Sequence, residues 1–551
     1  MSFITNRFIL YFQTIRNLKI LQILNRLFRV YPKSFFLTKK RDYQPKIKIS
    51  NINFPEKEIS IDFINNEAEF IGIKANFLKD FESQSLLWKY NFFYCDFLLD
   101  SRIPNKYKEK FINQYSKEFI DQSPAKDPYV ISLRLVNIIK WLSIDQKNIS
   151  EELFVNLQKQ YFLLRKKIEF HLNGNHLLAN IKALIFFESA FSKELINSSL
   201  LHWMDLLSDQ LDEQILSDGG HFELSPMYHN IILEDLIDLF LISKNNSLLK
   251  NIIMPYLKKM LRWSSIMKDT LGDIIYFHDS VTGVSLNFYQ ISNYLKQNQL
   301  NKFLDFQIQD EDGFIDLKDS GFLNIKRFGF NVFFDSSNLK AQYISGHYHS
   351  SLFSIQLEID GIPFISNPGI STYEVSKRRL DERSNYSHSC FTINNENTSN
   401  IWHAFRMAKT HECYYQILKD SYSQFSVRGY TNSYQNHQYS RFLELDKNHI
   451  KITDSVKQNS DIQKQHNYYI YWPLHYRIEI KSYTNNSVIC FAKGLPNEYE
   501  VIFDSNVPYE LTIDKSYYCK SFGMLIDSKK LVIMVKSNKL ANFTTQISRI
   551  K

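Results

Sequence analysis

The chain has 551 residues, enough for two or more domains, each with its own core. Apolar residues make up 44% and charged residues 23%, a balance that excludes a disordered chain. The net charge of +8 leans mildly towards anionic partners, and no Lys/Arg block, zinc-finger spacing or aromatic RNA-binding signature points to nucleic acid.

The five cysteines, Cys95, Cys390, Cys413, Cys490 and Cys519, are odd in number and scattered, without a CxxC pair. They imply neither a disulfide framework nor a thiolate metal site. Aromatic content is 15%, a supply that suits either a carbohydrate cleft or a core poor in Ala and Gly. No apolar run approaches the length of a membrane span.

The first stretch, "MSFITNRFILYFQTIRNLKILQILNRLFRV", is basic and amphipathic. It lacks an uninterrupted apolar core and a small-residue cleavage site, so it does not read as a signal peptide. Docking against the rest of the protein is the favoured role, and contact with a membrane surface is the alternative. On sequence alone this places the protein in the cytoplasm or at the inner-membrane surface. Residues 1–83 comprise N-terminal amphipathic helices and a leading segment.

From 84 to about 310 helical periodicity dominates. "SLLWKYNFFYCDFLL", "PYVISLRLVNIIKWLSI", "ELFVNLQKQYFLLRKKIEFHL", "HLLANIKALIFFESAFS", "LHWMDLLSDQLDEQIL" and "MYHNIILEDLIDLFLIS" are separated by short polar turns, as in packed helical hairpins. No fixed-period repeat appears. From 311 to 551 the texture changes to alternation and β-branched residues, as in "NVFFDSS", "SLFSIQLEIDGIPFIS", "YSRFLELDKNHIKITDSV", "NYYIYWPLHYRIEIK", "SVICFAKG" and "KLVIMVKS". The fold class is therefore α+β and multidomain, a helical half followed by a large antiparallel β-sandwich.

Four stretches carry candidate chemistry. In "HLNGNHLLAN", Asn175 and His176 precede an apolar helical run; Asn175 is either an N-cap or a group facing an anion at a helix start. In "SDGGHFELSPMYHNIILEDL", Ser225-Pro226 reads as cap and first helical residue, putting Tyr228 in the first turn. The helix dipole there favours phenolate. In "SGHYHSSLFSIQLEIDG", counting back by twos from Phe353 puts Ser351, His349 and His347 on one strand face, as metal ligands or as a base with a ligand. The fourth, "ERSNYSHSCFTIN", holds Arg383 and His388 close to "FISNPGISTYE" with Asn367 and Tyr373.

These residues share a chemical theme of Tyr, His, Asn and Arg, without the paired carboxylates that most glycosidases need. Such a set suits β-elimination of a uronic-acid polymer. Neutralising the uronate carboxylate acidifies the neighbouring carbon, a Tyr or His takes its proton, and a Tyr protonates the leaving oxygen.

With "WKYNFFYCDFL", "NGNHLLANIKAL", "DGGHFELSPMYHNIILEDLIDL", "GHYHSSLFSIQLEIDGIPFISNPGISTYE" and "WHAFR" in this order, the chain resembles the heparinase II/III-like polysaccharide lyases over most of its length. The resemblance implies an incomplete N-terminal (α/α) toroid, a C-terminal antiparallel β-sandwich and a cleft between them. It implies Tyr228, His347, Asn175 and His176 as catalytic residues and Arg383 beside them; Arg383, Tyr373, Glu223, Trp88 and Tyr90 are the expected substrate contacts. An acidic polysaccharide is the implied partner and the periplasm or cell envelope the implied location. No cofactor is required, but a structural zinc in some members matches His349 and His388, with Asn367 at the third ligand position. Two departures stand out: Asn367 replaces an Asp of the family's "DPG" turn, and Ser351 replaces the Asp of "HAHAD". The alternatives are a glycoside hydrolase using Glu223 and Asp218, and a glycan-binding or surface-polysaccharide assembly protein without catalysis.

Overall fold

A computed structural model describes residues 2–28, 43–121, 123–144, 149–194, 196–306, 313–459, 465–538 and 541–550. The expected domain boundary at 310/311 lies outside the described residues.

The helical half forms where the sequence supplies caps. Ser150 accepts from Leu153 N ahead of helix Glu151–Lys166, Asn197 caps Ser198–Gln214, and Asn246 caps Ser247–Ile266. Helix Pro128–Ile144 spans the stretch that periodicity marks for it, and it packs against helix Gly174–Phe191. Both are buried almost all round, so their polar residues need internal partners. Lys140 Nζ lies 2.6 Å and Lys182 Nζ 2.5 Å from Asp238 Oδ2 on helix Pro226–Ile242, which ties three helices together. In "SLLWKYNFFYCDFLL" the helix stops at Tyr94, because Cys95 takes a left-handed conformation at φ 60° and a 3-10 turn follows. The leading segment carries, besides its two helices Ser2–Ile15 and Ile20–Phe28, a three-stranded antiparallel sheet over Ser60–Asp62, Glu67–Phe70 and Ile73–Asn76.

The β half is built from antiparallel sheets of eight, five and four strands. Period-two burial is clearest on His449–Gln458, where Ile450, Ile452 and Val456 point into the sandwich core. Its partner His437–Leu445 pairs from His437↔Gln458 to Leu445↔Ile450.

Two small clusters join the halves. Leu224, Trp263 and Ile266 pack with Phe322, Phe333 and Tyr348, while Met227, Tyr228 and Tyr276 pack with Ile370 and Cys519. Polar contacts reinforce the first cluster: Asp218 Oδ2 accepts from Ser320 N at 2.7 Å, and Trp263 Nε1 donates to Ser320 Oγ at 3.0 Å. The candidate site lies along this seam.

Candidate functional site

Helix Gly174–Phe191 begins with an unusual backbone. Asn173, at φ 64°, is the cap, and its side chain accepts from Gly174 N. Of the two roles open to Asn175, capping thus falls to Asn173, and the Asn175 amide is left for other contacts, one of them to the Tyr129 hydroxyl. Gly174 sits at φ +55°, where a Cβ would fall 2.6 Å from Glu223 Oε1 and closer still to Ile344 Cδ1. Only glycine lets this helix start approach the sandwich so tightly.

Helix Pro226–Ile242 begins as its sequence requires, with Ser225 accepting from Tyr228 N at 3.2 Å and donating to Asp279 O at 2.5 Å. Tyr228 is pinned in the first turn. Its ring stacks on the imidazole of His347 with centroids 3.8 Å apart, and its hydroxyl meets that of Tyr373 at 3.0 Å. Burial, followed by the neighbouring Tyr373 and Asp279, pushes the Tyr228 phenol well above its ordinary value. Desolvation therefore outweighs the helix dipole, and the phenol is neutral, contrary to the phenolate expected from the dipole alone.

His347 and His349 do share a partner, but not through strand alternation. The strand begins only at Ile355, and Phe353 at φ 53° breaks the periodicity ahead of it. Residues 347–350 are irregular, and both imidazoles converge on Asp279: His347 Nδ1 lies 2.7 Å from Oδ2, and His349 Nε2 lies 2.6 Å from Oδ1. Arg379 clamps the same carboxylate in bidentate fashion, at 2.6 and 2.7 Å. Burial would raise the Asp279 carboxyl, but Arg379 and the two histidines hold it well below the usual carboxylate range. With Nδ1 engaged by Asp279, His347 turns Nε2 towards Glu223, whose Oε2 is 3.6 Å away.

Glu223 bridges the two halves of the site. Its Oε1 accepts from Asn175 N at 3.3 Å, while Oε2 is buried without a hydrogen-bond partner. Burial pushes this carboxyl upward, towards its uncharged form. His176 packs at a tilt against Tyr129, with ring centroids 4.4 Å apart, and places Nδ1 3.3 Å from Glu169 Oε2. Burial opposes its protonation, yet Glu169 prevails and raises it. Tyr228, His347, Asn175, His176, Glu223 and Tyr373 thus form one continuous constellation.

Other expected residues stand elsewhere. Trp88 is fully buried in the helical core against Phe70, Phe81 and Phe92, its Nε1 donating to Ile73 O at 3.0 Å; it is a packing residue and not a cleft residue. Tyr90 donates to Asp127 Oδ2 at 2.6 Å and so tethers the start of helix Pro128–Ile144. Arg383 spends its guanidinium on the backbone carbonyls of Ser345, Tyr348, His403 and Ala404, completely buried. It braces the loop carrying His347 and is not placed to touch substrate. Asp218 caps its own turn through Gly220 N and holds Ser320, so it does not pair with Glu223 as a hydrolase would need.

The residues expected to hold zinc do not make a metal site. Buried His349 and His388, pushed down to about 3 and about 4 chiefly by desolvation, share a hydrogen bond at 3.2 Å between Nδ1 and Nε2. His388 Nδ1 bonds Ser384 O. Asn367 is committed to Ser354, Ser389 and the Tyr276 carbonyl. Two imidazoles and a neutral, hydrogen-bonded amide are a poor donor set for Zn2+, and among the described residues no group of three or more His, Cys, Asp or Glu is arranged for a metal. Ser351, in place of the family Asp, donates to Asp335 Oδ2 at 2.8 Å.

Three central residues escaped the sequence reading. Asp279 and Arg379 sit in "FHDSV" and "SKRRLDE", with no spacing to mark them. Tyr129 was discoverable, because Pro128-Tyr129 at a helix start repeats the signature that singled out Tyr228.

The heparinase II/III N-terminal family profile matches residues 100–270, and the heparinase II/III-like C-terminal profile matches 310–549. The chain belongs to the heparinase II/III-like family of polysaccharide lyases. Its fold is that of a solved heparinase III structure, at a TM-score of 0.67 and 16% identity over 81% of this chain and 74% of the other. A mutant heparan sulfate lyase from Pedobacter heparinus aligns at a TM-score of 0.61 and 15% identity, covering 94% of this chain and 86% of that one. Both share the toroid-plus-sandwich architecture with this family member. Among curated proteins, none matches the sequence.

Proposed function

We propose that this lyase cleaves a uronate-containing anionic polysaccharide by β-elimination. What carries the reading is the Tyr228–His347 pair: a neutral phenol stacked on an imidazole whose Nδ1 is engaged by Asp279. His347 Nε2 takes the proton from the carbon next to the uronate carboxylate. The electron pair forms the new carbon–carbon double bond as the glycosidic carbon–oxygen bond breaks. Tyr228 gives its hydroxyl proton to the departing oxygen, and Tyr373, 3.0 Å away, is placed to share the resulting charge. Asn175 and His176, in the first turn of one helix, receive the substrate carboxylate. Burial shifts the Glu223 carboxyl beside them towards protonation, which lessens its repulsion of that carboxylate.

The test is incubation with a panel of uronate polymers, following the absorbance of the conjugated double bond and the new reducing ends together. Elimination raises both. Reducing ends without the absorbance would mean hydrolysis, and binding without either would mean a glycan-binding protein; each overturns the proposal.

A further inference from the structure

The two N-terminal helices are built inside out. On helix Ile20–Phe28 the polar Gln22 and Asn25 are buried, at 1% and 4% exposure, while Ile20 and Leu27 stand out at 77% and 68%. Leu24 falls between these two on the same face, at the i, i+4, i+7 spacing of one helical stripe. The buried side is specific: Gln22 Nε2 and Arg26 each donate to His171 O, at 3.4 and 3.0 Å, and Lys19 pairs with Glu213. On helix Ser2–Ile15, Tyr11 packs edge-on against Trp402 with centroids 4.7 Å apart, and Thr14 accepts from the Trp402 indole. Ile9, Phe12 and Ile15 face away and are exposed. The docked side is thus polar and satisfied, and the free side is apolar.

Charge says what covers it. Residues 1–41 contain nine Lys and Arg and no Asp or Glu. Arg16 is exposed beside the apolar stripe, and Arg406 of the hairpin joins it, its guanidinium over the rings of Tyr11 and Trp402. A second protein or a second copy would need matching acids, whereas an exposed apolar stripe rimmed by cations matches an anionic bilayer, whose acyl chains take the stripe and whose headgroups meet the arginines.

We propose that helices Ser2–Ile15 and Ile20–Phe28 form a docking surface for anionic phospholipid. The surface connects directly to the candidate site. The hairpin Ile401–His403/Arg406–Met407 that holds the first helix also carries Phe405, 6.1 Å from His347 between ring centroids. Membrane-attached glycan is thereby brought near the candidate site. The inference stands independently of the elimination chemistry.

The full chain is mixed with sedimentable vesicles of phosphatidylglycerol and phosphatidylcholine, or of phosphatidylcholine alone. Co-sedimentation with the anionic vesicles is expected, at least about tenfold weaker with neutral lipid or in high salt. The triple variant Phe12→Ser, Ile20→Ser, Leu27→Ser alters only exposed side chains; it should lose binding with an unchanged thermal melt. Arg16→Gln should weaken binding with anionic vesicles alone. Equal or absent binding to the two vesicle types overturns the proposal. So does a dimer in solution that the triple variant dissociates, since the stripe would then belong to a second copy of the chain.

Discussion

Tyr228 illustrates how little a residue's own position says about its chemistry. A helix N-terminus favours phenolate by a fraction of a kcal/mol to about 1 kcal/mol, while full burial beside Tyr373 and Asp279 acts in the opposite direction and wins. The hydroxyl is thus a proton donor awaiting a leaving group. Replacing it by Tyr228→Phe removes one oxygen from a stacked ring, so turnover should fall by at least about a hundredfold. Stability should change by no more than about 1 kcal/mol. Steady-state kinetics beside a denaturant melt separates the two effects, and retained turnover would remove Tyr228 as the acid. Asp279 is the opposite case. It accepts from Arg379, His347 and His349 together, so Asp279→Asn leaves a buried guanidinium without its counter-charge. Breaking such a pair costs about 3–5 kcal/mol. Chemical denaturation should show that loss, and activity should drop because His347 no longer holds one orientation.

At the scale of the element, the start of helix Gly174–Phe191 is the sharpest constraint on the site. Asn173 caps, Gly174 clears the space, and Asn175 is delivered to Tyr129 and Glu223. Gly174→Ala must place a Cβ at positive φ against Ile344 and Glu223, a strain of about 1–3 kcal/mol. The expected outcome is a lower melting temperature together with a raised KM, because the displaced Glu223 and Asn175 are the groups proposed to meet the substrate carboxylate. A variant with wild-type KM would show that this turn supports folding alone. The loop bearing His347 is held differently, by the Arg383 guanidinium gathering carbonyls from both 345–348 and 403–404. An arginine that sequence resemblance would assign to substrate is thus spent on keeping an irregular segment in one shape, which irregular backbone needs because no ladder satisfies it.

For the molecule as a whole, the seam between the two halves carries a pH signature. Asp269 of the helical half lies close to Glu358 on strand Ile355–Ile359, while Glu358 itself accepts from Thr270 N and Oγ1 at 3.1 and 2.8 Å. Burial, then the Glu358 charge, pushes the Asp269 carboxyl up to about 7. Its folded-state value therefore lies above its unfolded one near 4. The proton it retains stabilises the fold at low pH, and that contribution is lost as pH rises from about 4 through about 7. Asp269→Asn should leave stability unchanged near pH 4 and raise it by on the order of 1 kcal/mol or more at pH 8. Melts across that range check it; an advantage independent of pH would place the effect elsewhere.

Much was legible before any coordinates. The 3.6-residue periodicity of Glu151–Lys166 and the two-residue alternation of His449–Gln458 separate a helical half from a sandwich half, because burial of one face imprints its period on the chain. Ser225-Pro226 marked the helix that presents Tyr228, since caps act through neighbours in sequence. What only the tertiary structure decided is which side chains are spent on one another. Asp279 with Arg379, a hundred residues apart, the hidden role of Arg383, the core position of Trp88 and the neutrality of Tyr228 all depend on burial and on partners brought from distant segments. Local pattern sets where a residue's backbone goes; desolvation and pairing, which are properties of the packed whole, set what its side chain can do.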